Sequence, residues 1–126
     1  RLILPEGNMV AILMMVFPLT LIGSAYFDGN SAVATARISE IPKGLKIGRI
    51  AVLKDYRGRR YGAKIVNAVV AKSIEAGADR VYVDAQNHAV NFYEKLGFRI
   101  CGTELIDRGI AHTPMCIDKG DFNVEE

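Results

Sequence analysis

The hydrophobic pattern along this chain changes period part-way. In the first half, apolar residues come in short β-compatible runs separated by turn residues. Leu19–Phe27 and Ala32–Ile38 flank Asp28-Gly29-Asn30 and read as a hairpin. Lys43-Gly44 is a second turn, leading into Leu45–Leu53, so three successive strands form an antiparallel meander. The period then lengthens. In Gly62–Ala76, Val66, Val70 and Ile74 recur every four residues with Ile65 and Val69 beside them, while Lys64, Asn67, Lys72 and Glu75 fall opposite. This is an amphipathic helix, and Gly77 is a natural stop. Val81–Ala85 alternates as a strand does. His88–Leu96 is a short helix carrying Ala89, Phe92, Tyr93 and Leu96 on one stripe, ended by Gly97. Phe98–Leu105 and Ala111–Asp118 read as a closing pair of strands around Asp107-Arg108-Gly109. Arg1–Pro5 is a candidate first strand and Asp121–Glu126 a loose acidic tail. The order predicts an α/β (α+β) domain: a mixed, mostly antiparallel sheet flanked by helices and containing one β-α-β unit.

Val10–Phe27 breaks this simplicity, because it is apolar for long enough to be a candidate membrane span. Pro18 would interrupt a helix at its middle. The second half is β-compatible and ends in a turn signal, and no basic flank sits near it. A buried helix over Met9–Phe17 followed by a strand is the expectation, with no membrane association. The join at Phe17-Pro18 is abrupt, so the N-terminal part is expected to be incomplete there.

Composition narrows the class. At 126 residues a single domain spanning 1–126 is expected. Half the residues are hydrophobic and 24% are charged, which excludes a disordered chain. The net charge of +2 says little about partners, because the basic charge is local. The two cysteines, Cys101 and Cys116, read as reduced buried thiols of a cytoplasmic protein, and no cysteine or histidine cluster suggests a metal. The apolar N-terminal third is compatible with a homodimer.

The basic charge is concentrated in Asp55–Lys64, where four basic side chains and two glycines occupy ten positions between a strand and a helix. A glycine-bearing strand-to-helix turn gathers backbone N–H groups at the positive end of a helix, and the arginines suit it to a phosphorylated ligand. The spacing fits neither common nucleotide motif. Gly58 and Gly62 are four apart and Lys64 is followed by Ile65, against Walker A, and no G-x-G-x-x-G is present.

Arg57-Gly58-Arg59-Arg60-Tyr61-Gly62, followed by Ala63, resembles instead the acetyl-CoA loop [RQ]-x-x-G-x-[GA] of the GNAT superfamily of N-acetyltransferases, with Arg60 standing where that family usually has its central glycine. Downstream, Ala89-Val90-Asn91-Phe92-Tyr93-Glu94-Lys95-Leu96-Gly97-Phe98 resembles the family's A-x-x-[FL]-Y-x-x-x-G-F segment. The resemblance covers Leu45–Phe98 most closely. Gly109-Ile110-Ala111-His112-Thr113-Pro114-Met115 is similar to a small bacterial branch of the family.

The resemblance implies a fold and a chemistry. The strand holding Ala51 and Val52 would part from Val81–Ala85 and expose backbone groups to the pantetheine arm. The N–H groups of Arg59–Ala63 would hold the pyrophosphate, with Arg57, Arg59 and Arg60 neutralising charge; a solvated basic turn that binds nothing is the bland alternative. Tyr93 would be the general acid on the departing thiolate, or a helix-packing residue. A backbone N–H near Val52 would polarise the thioester carbonyl. His112 and Glu104 are the candidate bases, and each also reads as a structural or substrate-binding residue. Gln86 would bind CoA or cap the following helix, and Asn91 would contact the cofactor. Arg49 would bind an acidic substrate group or pair with a carboxylate.

The implied activity is direct transfer of an acetyl group from acetyl-CoA to a primary amine of a small molecule or peptide, without a metal. The competing readings are a non-catalytic CoA-binding sensor and a module that binds RNA or another polyanion. The chain lacks a broad basic face and an aromatic platform near the turn, which counts against nucleic acid.

Overall fold

The computed structural model describes residues 8–14, 21–28 and 31–122, with side chains from Ser31 onward and at Tyr26. The meander is β2 (Leu21–Asp28), β3 (Ser31–Ile41) and β4 (Gly44–Val52), each antiparallel to the next. Helix α1 (Tyr61–Glu75) crosses over to β5 (Arg80–Gln86), which runs parallel to β4. A single 3-10 turn, Asn87–Ala89, leads into the short helix α2 (Val90–Lys95). Strand β8 (Ile110–Asp118) then inserts antiparallel along β5. The resulting mixed sheet is mostly antiparallel and contains one β-α-β unit, as the pattern predicts.

Three expectations are corrected. The apolar stretch expected as the helix Met9–Phe17 is instead strand β1 (Asn8–Met14), paired residue for residue with β2 from Asn8↔Asp28 to Met14↔Ile22; positions 15–17 lie outside the described residues. A short apolar run has no period that separates helix from strand, and here a neighbouring strand supplies the hydrogen-bond ladder. The expected strands Arg1–Pro5 and the hairpin tip Gly29-Asn30 also lie outside the described residues.

Second, Phe98–Leu105 is not one strand. It splits into β6 (Arg99–Ile100) and β7 (Leu105–Asp107), both paired with β8. The break lies opposite Pro114. Its carbonyl accepts the Cys101 N–H at 3.0 Å, but a proline has no N–H to return, so the ladder stops on that side. Gly102 allows the chain to pass: a Cβ added there would stand 2.8 Å from Pro114 Cβ. Third, the acidic tail is not wholly loose. Lys119–Asp121 forms a 3-10 turn and Phe122 packs against the core, while residues 123–126 lie outside the described residues.

The core lies between α1 and the sheet. Ile65, Val66, Val69 and Val70 of α1 are buried with Val33, Ile47, Val81, Val83 and Ile117 of the strands. Each such side chain contributes roughly 1.5–3 kcal/mol relative to an exposed one. Ser73 is buried on the same face, and its Oγ donates to the Val69 carbonyl at 2.8 Å, which removes the cost of an unpaired hydroxyl. At the far end of the sheet, Asp118 on β8 accepts from Arg80 on β5 and Arg99 on β6, stapling three strands. Both arginines hold the Asp118 carboxyl below the usual carboxylate range.

Both cysteines are free. Cys116 is buried as expected; Cys101 is only half-buried, at the strand break beside it. Among the described residues no helix is long and apolar enough to cross a membrane.

Candidate active site

Strands β4 and β5 pair only through Leu45↔Val81, Lys46↔Tyr82 and Ile47↔Val83. Beyond Ile47 they part, and β5 continues along β8 alone as far as Gln86↔His112. The cause is a bulge. Thr35 opposes Ala51 and Arg37 opposes Gly48, so Arg49 and Ile50 together face Ala36. Arg49 takes the left-handed conformation, φ 53°, in the middle of a strand. The extra residue bends β4 away from β5 and twists it. Leu53 N–H donates to Val33 O at 2.8 Å, toward β3. By the alternation of an antiparallel ladder, Val52 then turns its own N–H and carbonyl toward the opening.

The opening continues as a cleft of about 380 Å³. Its walls come from four places: the β4 bulge with Arg49, β5 with Asp84 and Gln86, the α2 segment with His88, Phe92 and Tyr93, and β8 with His112. Lys46 pairs with Asp84, so the carboxylate in the wall is neutralised. The His112 Nδ1 lies 2.9 Å from the Ile110 carbonyl. A carbonyl only accepts, so Nδ1 carries the hydrogen, and Nε2 of the neutral ring is left able to accept a proton.

Tyr93 is buried in the floor, edge-on to Phe92 and Phe98 at ring-centroid distances of 4.9 and 5.5 Å. Burial pushes its hydroxyl up to about 12, so it stays protonated over the whole working range. Its packing role is thus met, and its hydroxyl keeps its proton within the cleft wall. Phe92 sits above it, partly exposed, and a Cβ added at Gly62 would stand 3.6 Å from its ring. Phe92 thus couples the first turn of α1 to α2, and ties together the two sequence segments that carry the family resemblance.

The turn at the end of β4 is built to leave α1 uncapped. Lys54–Tyr56 forms a 3-10 turn, Gly58 takes φ 82°, and Arg60 at the N-cap takes φ 69°, ψ 16° with no side-chain cap. Arg60 thus reproduces the left-handed conformation that a glycine would adopt freely, at a cost of roughly 1–2 kcal/mol. The first-turn N–H groups of a helix have no intrahelical acceptors, and with no capping oxygen they are available to an anion. The arginines divide their roles. Arg57 Nε donates to the Val52 carbonyl at 3.0 Å, holding the turn onto β4 and leaving its outer N–H groups. Arg59 lies over the Tyr56 ring, 5.1 Å from its centroid. The Tyr61 side chain belongs to the core, packed on Tyr26 and Tyr56.

Other expected site residues fall outside the cleft. Glu104 is not in its wall; its carboxylate accepts from Asn87 Nδ2 at 2.5 Å, while Asn87 Oδ1 accepts from Thr113 Oγ1 at 2.7 Å. Glu104 therefore helps to hold the 3-10 turn before α2 against β8. Asn91 is exposed on α2 and absent from the cleft wall. Ala51 lines a smaller concavity of about 300 Å³ with Thr35, Lys54 and Arg57. Gln86 is in the cleft wall, and its side chain does not cap the turn that follows. Sequence reasoning missed Asp84, His88 and Phe92 as wall residues and Asn87 as the anchor. The last three lie within six residues of Tyr93, a proximity that would have singled them out.

This arrangement defines a class. Residues 23–119 match the family described as the acetyltransferase (GNAT) domain, and the chain belongs to that family. It is 37% identical over 89 residues to a Bacillus subtilis (strain 168) protein named as an acetyltransferase, covering 71% of this chain and 60% of that one. It is 34% identical over 93 residues to the uncharacterized N-acetyltransferase YjcF of the same organism, covering 73% and 66%. The chain thus spans somewhat under two thirds of the length of these relatives. Its fold superimposes on a Bacillus subtilis acetyltransferase solved in complex with CoA, with a TM-score of 0.68 at 19% identity, over 82% of this chain and 80% of that one.

Proposed function

We propose that this domain is an acetyl-CoA-dependent N-acetyltransferase that moves an acetyl group directly to the primary amine of a small molecule or peptide. The observation that carries the reading is the parting of β4 from β5 beside an uncapped α1, with Tyr93 and His112 in the wall of the same cleft. The residues present fit the co-substrate. The N–H groups at the head of α1, with the side chains of Arg59 and Arg60, would hold its pyrophosphate. The parted edge of β4 would pair with its amide arm. Acetyl-CoA supplies the activated acetyl thioester.

The chain's own groups do the rest. An alkylamine with a pKa of about 10.4 arrives mostly protonated. His112 Nε2 takes a proton from it, with the ring held by Nδ1–H to the Ile110 carbonyl. The Val52 N–H faces the carbonyl on which negative charge develops. Tyr93 donates to the departing sulfur. A hydroxyl at about 12 cannot hand its proton completely to a thiolate of pKa about 8.5 without a cost of about 5 kcal/mol. Its contribution is a hydrogen bond that stabilises the thiolate as it forms, not an outright transfer. Glu104, engaged by Asn87, positions the turn leading to Tyr93 and does not act as the base. Localisation to the cytoplasm belongs to the same proposal.

Calorimetry with acetyl-CoA, followed by an amine panel read by release of free CoA thiol, tests the proposal. Micromolar binding with amine-dependent thiol release is the expected outcome. Absence of binding at millimolar ligand would sink it, and binding without turnover on any amine would mark a CoA sensor. Steeply salt-dependent binding to RNA would favour the polyanion module.

A further inference from the structure

We propose that the acetyl acceptor carries a carboxylate close to its amine and that Arg49 binds that carboxylate. The inference rests on the acetyltransferase reading above and names its substrate class. Arg49 lines the cleft that holds Tyr93 and His112, and its side chain is exposed. Among the described residues it forms no ion pair and no hydrogen bond. The one carboxylate among the described residues of the cleft wall, Asp84, is paired with Lys46; Glu104 lies outside that wall and accepts from the neutral amide of Asn87. Three side chains with N–H groups, His88, His112 and Gln86, share the wall with Arg49, and no unpaired carboxylate is among them.

The charge balance of the cleft therefore decides between two kinds of amine. A polyamine needs unpaired carboxylates for its second ammonium, and this wall offers none. An amino carboxylate brings a negative group to an unpaired guanidinium, whose planar fork accepts a carboxylate in two parallel hydrogen bonds. The bulge supplies the placement. An arginine in a regular strand would point to one face of the sheet and be followed by a neighbour pointing to the other. Arg49 is the extra residue, with φ 53°, at the point where β4 leaves β5. Its side chain is thus presented at the mouth of the opening into which the acetyl group would be delivered.

The test compares amines that differ only in a carboxylate. Phenylalanine is paired with phenethylamine, alanine with ethylamine, and the peptide alanyl-aspartate amide with alanyl-asparagine amide. Release of CoA thiol is followed for each, with spermidine as a polyamine control. The carboxylated member of a pair is expected to have at least a tenfold higher kcat/KM, expressed mainly in KM. Preference confined to the free amino acids identifies the α-carboxylate as the recognised group; preference in the peptide pair identifies an acidic side chain. Arg49→Gln is expected to erase the difference within a pair, and Arg49→Lys to keep part of it. Arg49→Gly, which also removes the left-handed arginine backbone, is expected to erase it too, so a folding defect peculiar to one variant is recognised by the other. Equal rates within every pair, a preference for spermidine, or a carboxylate preference that survives Arg49→Gln would each overturn the proposal while leaving the acetyltransferase reading in place. If acetyl-CoA binds and no amine of any kind releases thiol, that reading fails and this inference falls with it.

Discussion

Two arginines in left-handed backbone mark the two halves of the candidate site, and they differ in what surrounds them. Arg60 begins α1 inside a turn whose parts are contiguous in sequence, from Lys54 to Gly62. Arg49 sits in the middle of β4, and its neighbours in the cleft come from β5, α2 and β8. The first half is a local device: backbone N–H groups, a helix end and nearby cations, all specified within about ten residues. The second half exists only because β4 separates from β5 and β8 enters beside it. A turn made of contiguous residues can be specified by a local motif, whereas a cleft lined from four elements is specified only by how those elements pack.

Substitutions on the two sides should therefore separate co-substrate affinity from turnover and acceptor choice. The largest effect is expected for His112→Ala. Turnover at neutral pH should fall by about 10²–10³-fold, the range of a lost general base, with acetyl-CoA affinity unchanged. The loss should shrink as pH approaches 10, because the amine then arrives neutral without help. A deficit that is constant with pH would remove His112 from the base role. Tyr93→Phe should lower kcat by about 10²-fold, the scale of one lost donor to developing charge, again with acetyl-CoA affinity kept. Because burial holds the Tyr93 hydroxyl at about 12, the wild-type rate should show no downturn from tyrosine ionisation below that pH. A basic limb that appears near pH 9 and vanishes in Tyr93→Phe would contradict this assignment.

On the cofactor side the expected changes are smaller and of the opposite kind. Gly58→Ala places a Cβ on a residue with φ 82°; nothing lies within 4 Å of that Cβ, so the penalty is conformational rather than steric. A loss of about 1–2 kcal/mol in stability is expected by thermal or urea unfolding, with weaker acetyl-CoA binding and unchanged preference among amines. Arg60→Gly should have the least effect on stability, within about 1 kcal/mol of zero. Relief of left-handed strain is offset there by the greater chain entropy of glycine in the unfolded state. Its effect on acetyl-CoA affinity measures what the Arg60 charge adds beyond the backbone. A large destabilisation by Arg60→Gly would mean that the side chain anchors the turn.

Legibility followed the same division. The period-four stripe of α1, the alternation of β5 and the glycines that end α1 and α2 were readable because each is a local pattern with one solution. The turn was readable as a strand-to-helix break from its glycines and arginines, and its partner segment from Tyr93 and Gly97. The seven residues of β1 were not, because a short apolar run is compatible with helix or strand until a partner strand is known. Nor was the break between β6 and β7, which depends on Pro114 lying opposite Cys101 on another strand. Glu104 and His112 looked alike as candidate bases, one carboxylate and one imidazole late in the chain. Only their surroundings separate them. Asn87 engages the first, and the Ile110 carbonyl orients the second in the cleft wall.

By itself, then, the amino-acid sequence determined the order of elements from β2 to α2, the buried face of α1 and the glycine-bearing, arginine-rich turn that precedes it. Those properties depend on side-chain period, backbone freedom and helix ends, which act over a few residues. The tertiary structure alone decided where β4 parts from β5, that Lys46 pairs with Asp84 in the cleft wall, and that Arg49 lines the cleft with no ion pair or hydrogen bond among the described residues. Those are facts about which distant groups come within hydrogen-bonding reach, and no local pattern encodes them.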